Sequence, residues 1–294
     1  MQFPPSELII NPDGSIYHLH LRPEDIANTI ITVGDPNRVP KVSKYFDHLD
    51  FKAERREFVT HTGRLGNKRL TVISTGIGPD NIDIVLNELD ALANIDFASR
   101  TLKPQKTQLR FIRIGTTGGL STSLPLDTIV ASAFGIGLDN LLPFYDYDKK
   151  LEAGGLRQFF NTFTKTHWQL PIEGYAFMGS DYLLTHLAKE IHQGITLTCP
   201  GFYAPQGRHL RAPALLTPDK LSQLDQFQYR GLHITNFEME TAAIYGLSRL
   251  LGHQAISFST ILANRLEETF SADPAKSVDK LIRTVLRNIY EWEE

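Results

Sequence analysis

Apolar residues along the chain fall into two rhythms that alternate from end to end. Short, nearly continuous apolar runs predict buried strands at residues 29–33, 69–74, 109–114, 128–134, 175–179, 195–198, 233–237 and 254–261. Between them, apolar positions spaced three and four apart predict helices at 39–46, 81–93, up to about 166, at 182–192, at 241–251 before Gly252, and at 274–292. The second of these places Ile82, Val85, Leu86 and Leu89 on one face. A further strand, 51–61, reads as a hairpin with 69–74, joined by 63–67. Arg55, Arg56 and Glu57 lie within that strand, so Arg55 and Arg56 face opposite ways. Residues 1–15, rich in proline, read as an arm on the surface, 17–21 as a short extended piece, and 99–108 as a solvated loop. Strands alternating with helices, without repeats or long linkers, predict one α/β domain over 16–294 after the arm.

The chemistry lies where strands end. Residues 29–33 run into Gly34-Asp-Pro-Asn-Arg38, where the glycine permits close backbone approach and Arg38 adds a permanent charge. This is an anion site or a plain turn with a surface arginine. No Gly-Lys-Ser/Thr follows and no Gly-x-Gly-x-x-Gly is present, which excludes a Walker loop and a dinucleotide fingerprint. The strand 69–74 ends in Ser74-Thr-Gly-Ile-Gly-Pro79, and 109–114 runs into Gly115-Thr-Thr-Gly-Gly119. Arg113, inside an apolar run, is too costly to bury unpaired; its partner is a carboxylate such as Glu240, a bound anion, or both. After 195–198, the loop 199–208 concentrates Phe202, Gln206 and Arg208. An aromatic face, an amide and a donor-only guanidinium fit the edge of a heterocycle with carbonyl and imide N–H groups. Glu238 and Glu240 sit at a strand-to-helix junction. Helix capping is the plain reading, and ligand binding beyond the strand ends the functional one.

Composition removes other classes. A formal net charge of -3 and a pI of about 6.4 over 294 residues give no footprint for nucleic acid or an anionic membrane. One cysteine, Cys199, excludes an intrachain disulfide framework, fits a reducing compartment and reads as core packing. No basic leader opens the sequence and no segment is apolar long enough to span a bilayer, so a cytoplasmic protein is expected.

Tyr17-His-Leu, Gly34-Asp-Pro-Asn-Arg38, Arg56-Glu-Phe58, Ser74-Thr-Gly-Ile-Gly78, Arg113-Ile-Gly-Thr-Thr-Gly118, Phe202-Tyr-x-x-Gln206-x-Arg208, Glu238-Met-Glu240 and Asn264-Arg265 together span nearly the full length. Through them the chain resembles the nucleoside phosphorylases of the hexameric bacterial type. Gln206-x-Arg208 and Asn264-Arg265 resemble the uridine-cleaving branch, since purine enzymes of this fold typically carry an aspartate where Asn264 or its neighbour stands. The resemblance implies a central mixed, twisted β-sheet flanked by helices and the reversible, phosphate-dependent cleavage of uridine to uracil and ribose 1-phosphate. It implies phosphate binding by Gly34, Arg38, Arg113 and Thr116, joined by Arg56 of a neighbouring subunit. Met239 and Glu240 would hold the ribose, and His18, also from the neighbour, would meet its 5′-hydroxyl; Glu238 is either a junction residue or a second sugar contact. Thr117, Gly118, Phe202, Gln206 and Arg208 would take the base, with Arg265 supporting that loop. Catalysis would fall to Arg38, Arg113, Gln206, Arg208 and Glu240, with no cofactor beyond inorganic phosphate as co-substrate. A potassium ion would sit at Glu57, Ile77 and Asn81, the last standing where the family usually has serine. Shared sites imply a homo-oligomer, at least a dimer and by resemblance a hexamer. Ala263 is smaller than the usual neighbour of the base, which suggests room for a 5-methyl group, and the long arm and 99–108 loop bear on subunit contacts. Other readings are a purine or broad-specificity phosphorylase, a hydrolytic nucleosidase, and a nucleoside-binding or storage protein on the same fold.

Overall fold

A computed structural model describes residues 2–293; Met1 and Glu294, the outer ends of the predicted arm and domain, lie outside the described residues. The first interior strand of the sheet is β1 (Thr29–Val33), buried along its whole length because it is covered on both faces: Ile30 enters one core, Ile31 and Val33 the other. It pairs in parallel with β4 (Lys68–Ser74) and β7 (Arg110–Gly119). Beyond β4 come antiparallel β3 (Phe58–Leu65) and β2 (His48–Arg55). Beyond β7 the order continues through β13 (Gln254–Asn264), β8 (Ile129–Gly137), β10 (His192–Thr198), β12 (Leu232–Glu238) and β11 (Gln228–Tyr229). Short β9 (Tyr175–Met178) and β14 (Thr269–Phe270) add to β8 and β13. The sheet is mixed, since β13 runs parallel to β7 but antiparallel to β8. It also closes on itself: Asn236 and Phe237 of β12 pair antiparallel with Gly119 and Gly118 at the end of β7.

Two apolar layers cover this sheet. Helices α2 (Pro79–Asn94) and α6 (Thr241–Leu251) bury one face against Ile30, Ile73 and Phe111. On the other face lie α1 (Arg38–Ser43), α3 (Gly154–Phe163), α4 (Asp181–Leu187), α5 (Pro218–Ser222) and α7 (Pro274–Glu291), packed against Ile31, Ile112 and Phe258. The predicted face of α2 is the buried one: Ile82, Val85, Leu86 and Leu89 are all fully enclosed. Among the described residues no helix is long and apolar enough to cross a membrane.

Several expectations change. The predicted strand 51–61 is two strands, because the chain reverses at Arg56 and Glu57, with Arg56 in the left-handed region at φ 56°. Arg55 ends β2, whereas Arg56 and Glu57 form a tight turn rather than strand. Gly115–Gly119 is not beyond the third strand but inside it, paired with β13 from Ser259 to Asn264. The helix 182–192 stops at Leu187, and His192 already begins β10. The alternation at 17–21 belongs to a turn in which Ile16, Leu19 and Leu21 point inward and His20 is left-handed at φ 55°. Within the 99–108 stretch, β6 (Thr101–Leu102) pairs with β5 (Ile95–Asp96). The N-terminal segment is fastened to this ribbon: the Phe3 N–H donates to the Arg100 carbonyl at 2.8 Å, the Arg100 guanidinium donates to the Phe3 and Leu8 carbonyls, and Leu8 is buried. Cys199 is fully enclosed, and burial pushes its thiol well above its ordinary range, as expected of a packing residue.

Candidate active site

The junction between β12 and α6 organises the site. Glu238 accepts from the Thr198 hydroxyl at 2.5 Å, from the Glu240 N–H at 3.0 Å and from the Thr241 N–H at 2.9 and 3.1 Å. With Arg113 at 3.2 Å, these donors occupy the acceptor positions of a carboxylate. Glu238 thus serves the junction, satisfying orphan N–H groups at the start of α6. Glu240 is aimed differently. One oxygen accepts from the Gly78 N–H at 2.9 Å and the other from Arg113 Nη2 at 2.5 Å. Arg113 thus finds both carboxylates, and its second nitrogen donates to the Ser259 hydroxyl at 3.2 Å. Gly115 makes room for this cation: a Cβ there would lie 2.0 Å from Arg113 Nη1.

The charges are mutually dependent. Burial alone pulls the Arg113 pKa down, but Glu238 and Glu240 outweigh it and hold the guanidinium charged. Burial raises the Glu240 pKa, with Arg113 opposing and Glu238 reinforcing the rise. Arg38 is lowered by burial and by the neighbouring Arg113 cation.

These groups face one cavity of about 680 Å³. Gly34, Arg38, Arg113 and Thr116 line it together, Arg38 lying beside the middle of β7 with Nη1 donating to the Ile114 carbonyl at 3.2 Å. The Thr116 hydroxyl has no partner among the described residues, while that of Thr117 is spent between the Phe237 carbonyl and the Asn236 amide. Met239, Glu238 and Glu240 also face the cavity. Farther along β7, Gly118 adjoins Arg208, with a Cβ there lying 3.6 Å from Arg208 Nη2. The five steps of chain from Arg113 to Gly118 span roughly 16 Å of strand. At this end Gln206 is 2% exposed, and its carbonyl accepts from Arg208 Nη1 at 2.7 Å. The same nitrogen donates to the Phe202 carbonyl at 2.7 Å, and the guanidinium lies 3.7 Å from the centre of the Phe202 ring. Phe202 therefore aims Arg208 as well as lining the cavity. Burial and the nearby Arg265 cation lower the Arg208 pKa to about 10, which leaves it cationic at neutral pH.

Three predicted residues are not in this cavity wall. Arg265 donates to the Gly207 carbonyl at 3.3 Å and props the loop from behind. Arg56 is on the exposed turn between β2 and β3, and His18 is on the N-terminal turn. Asn264, fully buried, also stays outside: it donates to the Ser121 carbonyl at 3.1 Å and accepts from Leu266 and Glu267, shaping the turn that carries Arg265. Glu57, Ile77 and Asn81 share the cavity wall, with the Asn81 amide pressed against Gly76; they offer one carboxylate, one amide and a main-chain carbonyl. Among the described residues no group of three or more His, Cys, Asp or Glu could hold a metal ion. Sequence reasoning missed Phe237, Leu262 and Phe270 as wall residues. Phe270 stands on a two-residue strand, too short to carry a periodic signal.

The chain matches the phosphorylase superfamily over residues 28–289. It is 28% identical over 284 residues to a uridine phosphorylase of Thermococcus kodakarensis, covering 96% of this chain and 89% of that one. With the uridine phosphorylase of Escherichia coli the identity is 26% over 261 residues, 87% of this chain and 88% of the relative. A Trypanosoma brucei nucleoside phosphorylase whose crystal structure is described as showing uridine phosphorylase activity superposes with a TM-score of 0.84 at 28% identity, over 97% of this chain and 100% of the other. A family match over most of the chain, with this cavity at its centre, places the protein in the phosphorylase superfamily.

Proposed function

We propose that the protein catalyses the reversible, phosphate-dependent cleavage of uridine to uracil and ribose 1-phosphate. The observation that carries this reading is a single cavity with Arg38 and Arg113 at the middle of β7, Gln206 and Arg208 beside its C-terminal end, and Glu240 in its wall. Breaking the N-glycosidic bond leaves its electron pair on N1 of the base while a phosphate oxygen bonds to C1′, so no enzyme nucleophile is needed. Arg38, Arg113 and Thr116 hold the phosphate, Glu240 accepts from the ribose hydroxyls, and Gln206 and Arg208 donate to the uracil as it becomes anionic. In this reading His18 and Arg56 complete the cavity of a neighbouring copy, which makes the active unit at least a dimer and, with the family resemblance, a hexamer. A potassium ion at Glu57, Ile77 and Asn81 belongs to the same proposal, and no step uses it. So do a cytoplasmic location and a role in pyrimidine salvage.

The test is a phosphate-dependence assay across uridine, deoxyuridine, thymidine and inosine. Uracil release from uridine is expected to require phosphate and to exceed turnover of inosine. Preference for inosine would favour a purine enzyme, equal release without phosphate a hydrolase, and binding without turnover a storage protein.

A further inference from the structure

His18 is held by an unusual density of contacts for a residue outside the cavity. Glu88, on α2, accepts from the His18 N–H at 3.1 Å, from the Leu19 N–H at 2.9 Å and from His18 Nδ1 at 2.6 Å. An ionised carboxylate can only accept, so Nδ1 carries the hydrogen, and in the neutral ring Nε2 is left as the acceptor. Nε2 has no partner among the described residues, and the side chain is 27% exposed. The Tyr17 ring meets the imidazole edge-on at 4.6 Å between centroids. The turn beneath is equally fixed: Ile16 N–H donates to the Leu21 carbonyl at 2.8 Å, the Asn11 amide to the Ile16 carbonyl at 3.0 Å, and Ile16 and Leu19 are 1% exposed. A side chain locked in tautomer and direction, with its one free nitrogen outward, is prepared for a partner that donates a hydrogen bond.

We propose that Glu88 is a positioning residue: it sets the tautomer and direction of His18 so that Nε2 accepts from the ribose 5′-hydroxyl in the cavity of a neighbouring copy. This rests on the shared-site reading above. Glu88 itself touches no substrate. Its plainer role, anchoring the N-terminal turn to α2, predicts loss of stability and an equal loss on every substrate. The positioning role predicts a loss confined to substrates that carry the 5′-hydroxyl.

The experiment compares kcat/KM for uridine and 5′-deoxyuridine at saturating phosphate in the full-length protein and its H18A, E88A, E88Q and E88A/H18A variants. H18A is expected to lower the value for uridine up to about tenfold, the upper scale of one neutral hydrogen bond, and that for 5′-deoxyuridine less than about twofold. E88A should reproduce that split, and the double variant should lose no more than either single one. E88Q keeps one acceptor oxygen, which can serve the His18 N–H and Nδ1, while its NH2 replaces the oxygen that accepts from the Leu19 N–H. It should recover part of the uridine activity with any remaining loss confined to uridine, and it decides the matter if E88A does not fold, since an equal loss on both substrates makes Glu88 an anchor only. If H18A fails to distinguish the two substrates, the shared-site reading falls and this proposal with it. If H18A distinguishes them but E88A lowers both equally, or the two losses multiply, Glu88 is an anchor only and the shared site stands.

Discussion

Glu240 answers to three neighbours at once: the Gly78 N–H, the Arg113 guanidinium and the cavity. Its partner Glu238 is tied instead to Thr198, the first N–H groups of α6 and Arg113. The division of labour follows from position: the residue ending the strand caps the helix, and the residue preceding the helix reaches outward. Burial raises the Glu240 pKa. In the proposed reaction its ionised form accepts from ribose, and a raised pKa means that the proton returns at a higher pH than for a free glutamate. Activity should therefore fall on the acid side from a point above the ordinary carboxylate range. Glu240→Gln is expected to lower kcat/KM about ten- to hundredfold, as for loss of a charge-assisted hydrogen bond, and to abolish that acid limb in the pH profile. A limb that persists in the variant belongs to phosphate, and the assignment to Glu240 fails.

At the scale of the element, β7 contributes to both halves of the site, and its small residues have separate tasks. Gly115 leaves space for the Arg113 guanidinium, Gly118 lies against the side chains of Arg265 and Arg208, and Gly119 makes room for Ile261 of β13. Gly115→Ala would set a Cβ against that guanidinium. The expected result is a loss of roughly 1–3 kcal/mol in stability, read by thermal unfolding, together with a raised KM for phosphate as Arg113 is displaced. A variant with unchanged phosphate KM would show that Arg113 can move without cost to the site. The sequence displays β1, β7 and β13 clearly because each is buried along nearly its whole length, so each carries an apolar-rich run. Arg38, Arg113, Gln206 and Arg208 were legible because each follows or interrupts such a run. What stayed hidden depends on distant pairing or on backbone geometry. Nothing local marks the return of β12 to β7, the left-handed Arg56 that splits β2 from β3, or the fold-back that brings Phe270 to the wall. Asn264 stands out as a residue type but serves the backbone of its turn, so a specificity signal in sequence proved to be a structural support for Arg265.

For the whole molecule, the cavity of one chain holds only part of the predicted set. Arg56 at the turn between β2 and β3, and His18 on the N-terminal turn, lie outside its wall. Ile77, in that wall, is 68% exposed. In the proposed assembly both residues enter the cavity of a neighbour, and the N-terminal segment, fastened to Arg100, fixes where His18 is delivered. This has a quantitative consequence. Arg56→Ala and Glu240→Ala are each expected to be nearly inactive alone, because every site then lacks one group. If sites are shared pairwise and subunits redistribute at random, an equimolar mixture holds half mixed pairs, each with one site intact, so about a quarter of all sites regain both groups. Activity should climb toward a quarter of the unsubstituted value at the rate of subunit exchange, followed in parallel by mass spectrometry of differently labelled chains. Complete exchange without any gain in activity would place Arg56 outside the catalytic centre and leave each chain to work with its own residues.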